Sequence, residues 1–164
     1  MSCRLLLECQ SRARTQIWEK ARGLWPDDGY QWPNITIGTI LGVGQLSLPE
    51  NERRQNDEQA SRTIKTRGRT RLLQILISEA SHLIWIIRCE RVIHKNNEQH
   101  ANQEINARWL KIINDRLTVD RITATKTKRD KKHTNLVNAT WEKTLETRGI
   151  PHQNWLQHRE VFSG

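Results

Sequence analysis

The run from Thr70 to about Lys95 constrains the fold of this chain more than any other segment. Leu72, Leu73, Leu76, Ala80, Leu83, Ile84 and Ile87 recur at three- and four-residue steps and mark one helical face. Ile75, Ile77 and Ile86 add apolar groups elsewhere around the axis. A helix that is apolar on most sides is buried on most sides, so this stretch predicts the central element of the fold. Gln74, Ser78, Glu79, Ser81 and His82 interrupt it, which makes it too short and too polar for a membrane span, and no transmembrane helix is expected.

Other segments repeat the helical period around that element. Leu6, Cys9, Ala13, Ile17 and Trp18 give an amphipathic helix over Leu5 to Arg22, with Gly23 and Pro26 as its stop. From Leu24 to Pro33, two prolines, Gly29 and two tryptophans predict an irregular loop pinned by its rings. Ile35 to Leu48 is apolar with three interspersed glycines and reads equally as a short helix or as buried extended chain. Asn96 and Gln99 resemble a capping pair before a helix whose face is Ile105, Trp109, Ile112, Ile113 and Leu117. A further helix is expected to restart at Thr118 or Asp120 and run into Lys126 to Lys132. Leu136, Val137, Thr140, Trp141 and Leu145 define a last helix, closed by Gly149 and Pro151. The expected fold is therefore mainly α, an irregular helical bundle with a Trp/Pro/Gly-rich N-terminal loop region and little or no β. It divides into residues 1–50, a polar basic stretch at 51–71 taken as a linker, with a solvated helical lead-in as the other reading, and a helical domain at 72–164. Seven tryptophans against one Phe and one Tyr make Trp the natural core marker.

Charge is the strongest functional signal. Lys and Arg number 27 against 18 acidic residues, a formal net charge of +9, which attracts polyanions. The excess is clustered. Residues 51–72 hold 7 basic and 3 acidic groups, and residues 118–135 hold 6 and 2, while residues 1–50 balance at 5 and 5. In the first cluster Lys65, Arg67, Arg69 and Arg71 alternate with Thr66, Gly68 and Thr70; in the second, Lys126, Lys128, Arg129, Lys131 and Lys132 follow a Thr-rich stretch. Gathered on one surface, these nine side chains would bind RNA or DNA through phosphate contacts, with salt dependence and little sequence preference. The plain alternative is a pair of solvated runs that keep the chain soluble.

No constellation predicts catalysis, a metal or a cofactor. Cys3, Cys9 and Cys89 are odd in number and widely spaced, which fits a reducing intracellular compartment, cytoplasmic or nuclear. A structural zinc site needs four converging donors, and neither a Cys-x-x-Cys pair nor the spacing of His94 and His100 supplies them. Cys89, between Arg88 and Glu90, is expected to be buried and inert. Glu79, Glu90, Glu104 and Asp115 show no spacing that predicts convergence on a cation, and Glu104 is placed to pair with Arg108 one turn on.

A longer pattern carries a resemblance. Leu5-Leu6-Leu7-Glu8-Cys9, Ile17-Trp18, the Trp25-Pro26 and Trp32-Pro33 pairs and Ile37-Gly38-Thr39-Ile40-Leu41-Gly42 are followed by Leu73 to Glu79, Leu83-Ile84-Trp85 and Arg88 to Ile93. Arg108-Trp109-Leu110, Ile113 to Thr118, Asp120-Arg121-Ile122, Thr140-Trp141 and Asn154-Trp155 complete the series. In order and spacing these blocks resemble the reverse-transcriptase zinc-binding region that follows the ribonuclease H domain in fungal non-LTR retroelement polyproteins. In that family a Cys-x-x-Cys pair and a His-x-x-x-x-Cys element hold zinc. Cys9 matches the last ligand, but the His position falls on Arg4, Cys3 is one residue out of register, and the upstream pair would precede Met1. The resemblance thus implies a truncated knuckle without a zinc site and a non-enzymatic remnant of the polyprotein, with template handling as the role its basic segments suit. An inert or protein-binding helical module without nucleic-acid affinity is the other reading.

Overall fold

A computed structural model of the chain describes residues 11–49, 58–93, 100–126 and 130–149, with the backbone alone at 58–60. These residues form five α-helices: α1 (Arg12–Gly23), α2 (Ile37–Leu41), α3 (Glu58–Ile93), α4 (Asn102–Lys126) and α5 (Lys131–Glu146). A single 3-10 turn, Val43–Gln45, follows α2. No strand occurs among the described residues, as the periodicities predict.

The central helix is α3. Every member of its predicted face, together with Ile75 and Ile77, is buried. By length and composition its Ser61–Ile93 stretch would suffice to cross a membrane, more than the interrupted apolar run led us to expect; half of its most apolar window is buried inside the bundle. Against it lie Ile105, Trp109, Ile113 and Leu117 of α4 and Val137, Trp141 and Leu145 of α5. Each recurs at i+3 or i+4, so one stripe per helix faces the shared core. The loop Leu24 to Pro33 is irregular and held by its rings as expected. Trp25 meets Trp32 edge-on at 5.9 Å, and its indole N–H donates to the Tyr30 carbonyl at 2.7 Å.

Helix ends follow local chemistry. Ser11 caps α1, Thr36 and Thr39 form a reciprocal capping box on α2, and Asp130 accepts from the backbone N–H groups of Lys132 and His133 at the start of α5. Gly149 takes a φ of 71° just past the end of α5, the left-handed stop that glycine provides. The Asn96 and Gln99 capping pair, Leu5 to Gln10 and Pro151 lie outside the described residues.

Four expectations need correction. Residues 58–71 are not a linker but the first turns of α3, because their polar side chains find partners on distant elements. The proposed boundary there does not separate two cores, since Ala13, Ile17, Ala21 and Leu24 belong to one cluster with the α3, α4 and α5 residues. No helix restarts at Thr118 or Asp120; α4 runs through both to Lys126, and Asp120 is buried as a charge partner. Trp85 is 38% exposed and Cys89 half-buried, so neither is a core residue. With Val92 and Ile93 these two lie on an outer face of α3.

Gly68, centre of the Arg67-Gly68-Arg69 triplet, lies where α3 passes close against the α5 backbone. A Cβ placed on Gly68 would stand 2.5 Å from the Ala139 carbonyl carbon, 2.6 Å from its Cβ and 2.7 Å from its oxygen. Only glycine lets two backbones approach so nearly. This crossing holds the first basic segment against α5.

Candidate nucleic-acid interface

Helical geometry redistributes the first basic segment. In extended chain its alternating cations would share one side. On a helix Lys65 and Arg69 fall one turn apart on one side, Arg67 and Arg71 on another. In each pair the second member turns inward.

Arg69 is 4% exposed. Its Nη2 reaches Asp28 Oδ2 at 2.7 Å, and its guanidinium carbon lies 5.9 Å from the Trp25 ring centre, within the range of a cation–π contact. Burial pulls its pKa down from the ordinary value, and the Asp28 carboxylate opposes that shift. One turn back, Thr66 bonds the Tyr30 hydroxyl at 2.9 Å. Arg69 therefore fastens the Trp25 to Trp32 loop to α3.

Arg71 makes a two-pronged pair with Asp120, Nη1 to Oδ2 at 2.7 Å and Nη2 to Oδ1 at 2.6 Å. Nη1 also reaches the Thr140 hydroxyl at 3.3 Å, and Trp141 donates its indole N–H to Asp120 at 2.7 Å. With Asp120 buried, this network joins α3, α4 and α5. Of the first segment's four cations, Lys65 and Arg67 alone remain exposed.

In the second segment Lys126 is exposed at the end of α4, and Lys131 and Lys132 are exposed on the first turn of α5. Lys128 and Arg129 lie outside the described residues. Two cations of the first segment border α5. Arg67 lines a cleft of about 610 Å³ with Leu136, while Lys65 lines a groove of about 450 Å³ with Asn135 and Asn138. Lys131 and Lys132 stand one turn ahead of Asn135 and Leu136 on the same helix.

The cleft has a member that the basic runs did not reveal. Arg116 of α4 lines it alongside Arg67 and Arg71, is half-buried, and has an Nε without a hydrogen-bond partner. Arg116 belongs to a stretch with little net charge; its one clue in the sequence is its place one turn before Asp120. Among the described residues neither Arg67 nor Arg116 has an acidic partner within hydrogen-bonding distance. The cleft's loop wall is fastened to α3 twice, by Leu48 N–H to the Thr70 hydroxyl at 3.1 Å and by the Gln74 side-chain amide to the Leu46 carbonyl at 2.9 Å.

At the other end of α3, the Glu104–Arg108 pair forms as its spacing predicts, at 2.9 Å. The convergence of Glu90 on the same guanidinium at 2.7 Å was not foreseen. Buried His100 lies between the two acids, 2.9 Å from Glu104 and 3.5 Å from Glu90. The cation those carboxylates share is Arg108, and among the described residues no group of three His, Cys, Asp or Glu side chains is placed to hold a metal ion.

No protein-family model, curated protein or solved structure matches this chain.

Proposed function

We propose that this chain is a non-enzymatic module of retroelement ancestry that binds nucleic acid weakly and without sequence preference. The ancestry rests on the ordered blocks that resemble the region following ribonuclease H in retroelement polyproteins. The activity rests on one observation: Lys65 lines a groove with Asn135 and Arg67 a cleft with Leu136, residues that follow Lys131 and Lys132 by one turn on α5, and all four cations are exposed. Lys126, at the end of α4, adds a fifth exposed cation from the second segment. Arg69 and Arg71, spent on Asp28 and Asp120, contribute to folding and not to binding.

Mobility shifts with single strands and duplex across a salt series test this. Four or five phosphate contacts predict a log–log salt slope of roughly −3 to −4, and replacing Lys131 and Lys132 by Ala should flatten it by about 1.5 with helicity unchanged. No binding at low salt would sink the proposal. That result would leave the second reading, a protein-interaction module, which the exposed Trp85, Val92 and Ile93 favour.

A further inference from the structure

We infer that the cleft between α3, α4 and the Val43 to Leu48 loop seats two consecutive phosphates of a single-stranded nucleic acid, one at Arg67 and one at Arg116. This rests on the nucleic-acid reading above and adds to it a defined seat and a preference for unpaired strands.

Three arginines line the cleft, but their charges are not equivalent. Arg71 is neutralised by Asp120. Arg67 precedes Arg71 by one turn on α3, and Arg116 precedes Asp120 by one turn on α4. The neutral Arg71–Asp120 pair therefore stands between two guanidinium groups that have no acid of their own among the described residues. A ligand with two separated anions matches that pattern better than a single phosphate does. Glu79 lines the same cleft three turns along α3 from Arg67, about 18 Å by helical rise. Its carboxylate repels further phosphate at that end of the cleft.

The remaining walls suit what lies between phosphates. Val43, Leu48, Ile75 and Leu136 offer apolar surface to sugars and base edges, and the hydroxyls of Ser47 and Ser78 offer hydrogen bonds. At about 610 Å³ the cleft falls in the range of small-ligand sites. A concave seat of this size admits a flexible strand, whereas a duplex is stiff and presents its phosphates on a convex surface. Lys131 and Lys132, about one turn before Leu136 on α5, are exposed outside the cleft.

The test uses the full chain, a short oligo(dT) strand, its duplex with oligo(dA), and two competitors, the 5′-phosphorylated dinucleotide pdTpdT and its unphosphorylated counterpart dTpdT. The strand should bind more tightly than the duplex. pdTpdT, with two phosphates, should displace it and dTpdT should do so about tenfold less well. Arg67→Gln and Arg116→Gln should each weaken strand binding about tenfold, as loss of a charge-assisted hydrogen bond does, while Lys111→Gln on the far side of α4 should not. Because Arg116 is half-buried, amide shifts of Gly44 and Thr70 in the parent protein on adding pdTpdT provide a readout independent of that variant's folding. If Arg67→Gln binds as the parent does and those amides stay put, while Lys131→Ala with Lys132→Ala loses binding, the cleft is overturned and the surface reading stands. If the parent binds neither strand nor duplex, both fall.

Discussion

Replacing Gly68 by Ala tests the close approach of α3 and α5. The added methyl would meet the Ala139 carbonyl carbon, Cβ and oxygen at 2.5 to 2.7 Å, where ordinary contact begins at 3.4 Å. Two of those atoms are backbone and cannot swing aside, so α3 and α5 must part by about 1 Å. A gap of that size forfeits a quarter to a half of each dispersion contact across the interface, and overpacking of this kind costs roughly 1 to 3 kcal/mol. The backbone clash places Gly68 toward the upper end. Set against this is a gain of about 1 kcal/mol from replacing a mid-helix glycine by alanine. The net expectation is a loss of about 2 kcal/mol, read as a fall in melting temperature of roughly 4 to 8 °C for a chain of this length. Adding Ala139→Gly removes only the Cβ contact and should restore part of the loss, a measurable coupling between the two positions. A Gly68→Ala protein that melts at or above the parent temperature would show that helix propensity governs this site and that the crossing is not tight.

Two further predictions concern groups the fold has taken inward. Arg69→Met replaces a buried cation by an apolar chain of similar length and should change stability by less than about 1 kcal/mol, whereas Asp28→Ala leaves the Arg69 charge unpaired and should cost about 3; urea melts giving equal losses would refute the asymmetry. Trp109→Ala and Trp141→Ala should each cost roughly 3 to 5 kcal/mol because both rings are almost wholly buried, and Trp141 also leaves a lone pair of Asp120 unsatisfied; thermal unfolding matching the parent would contradict that placement.

The core was readable because its cause is local. Leu72 through Ile87, Ile105 through Leu117 and Val137 through Leu145 announce their buried faces by period alone, and those faces are buried. Ile112 and Leu136, at the edges of the predicted stripes, are only partly so. The burial at the polar start of α3 is hidden from the sequence for the opposite reason. Its burial depends on Asp28 and on Asp120, the latter 49 residues from its partner Arg71, and nothing near Arg69 or Arg71 in sequence signals either acid. The candidate site shows the same division. Exposed Lys65, Arg67, Lys126, Lys131 and Lys132 follow from charge clustering, while Arg116 enters only through the antiparallel pairing of α3 and α4.

That pairing is clamped at both ends. Arg71 holds Asp120 near one end and Glu90 holds Arg108 near the other, so the two helices share a fixed alignment over the Arg71 to Glu90 stretch of α3. One residue inserted between the clamps would turn everything beyond it by about 100° and unseat one lock or the other. The stretch from Arg71 to Glu90 is in that sense a ruler: it tolerates changes of side chain far better than changes of length.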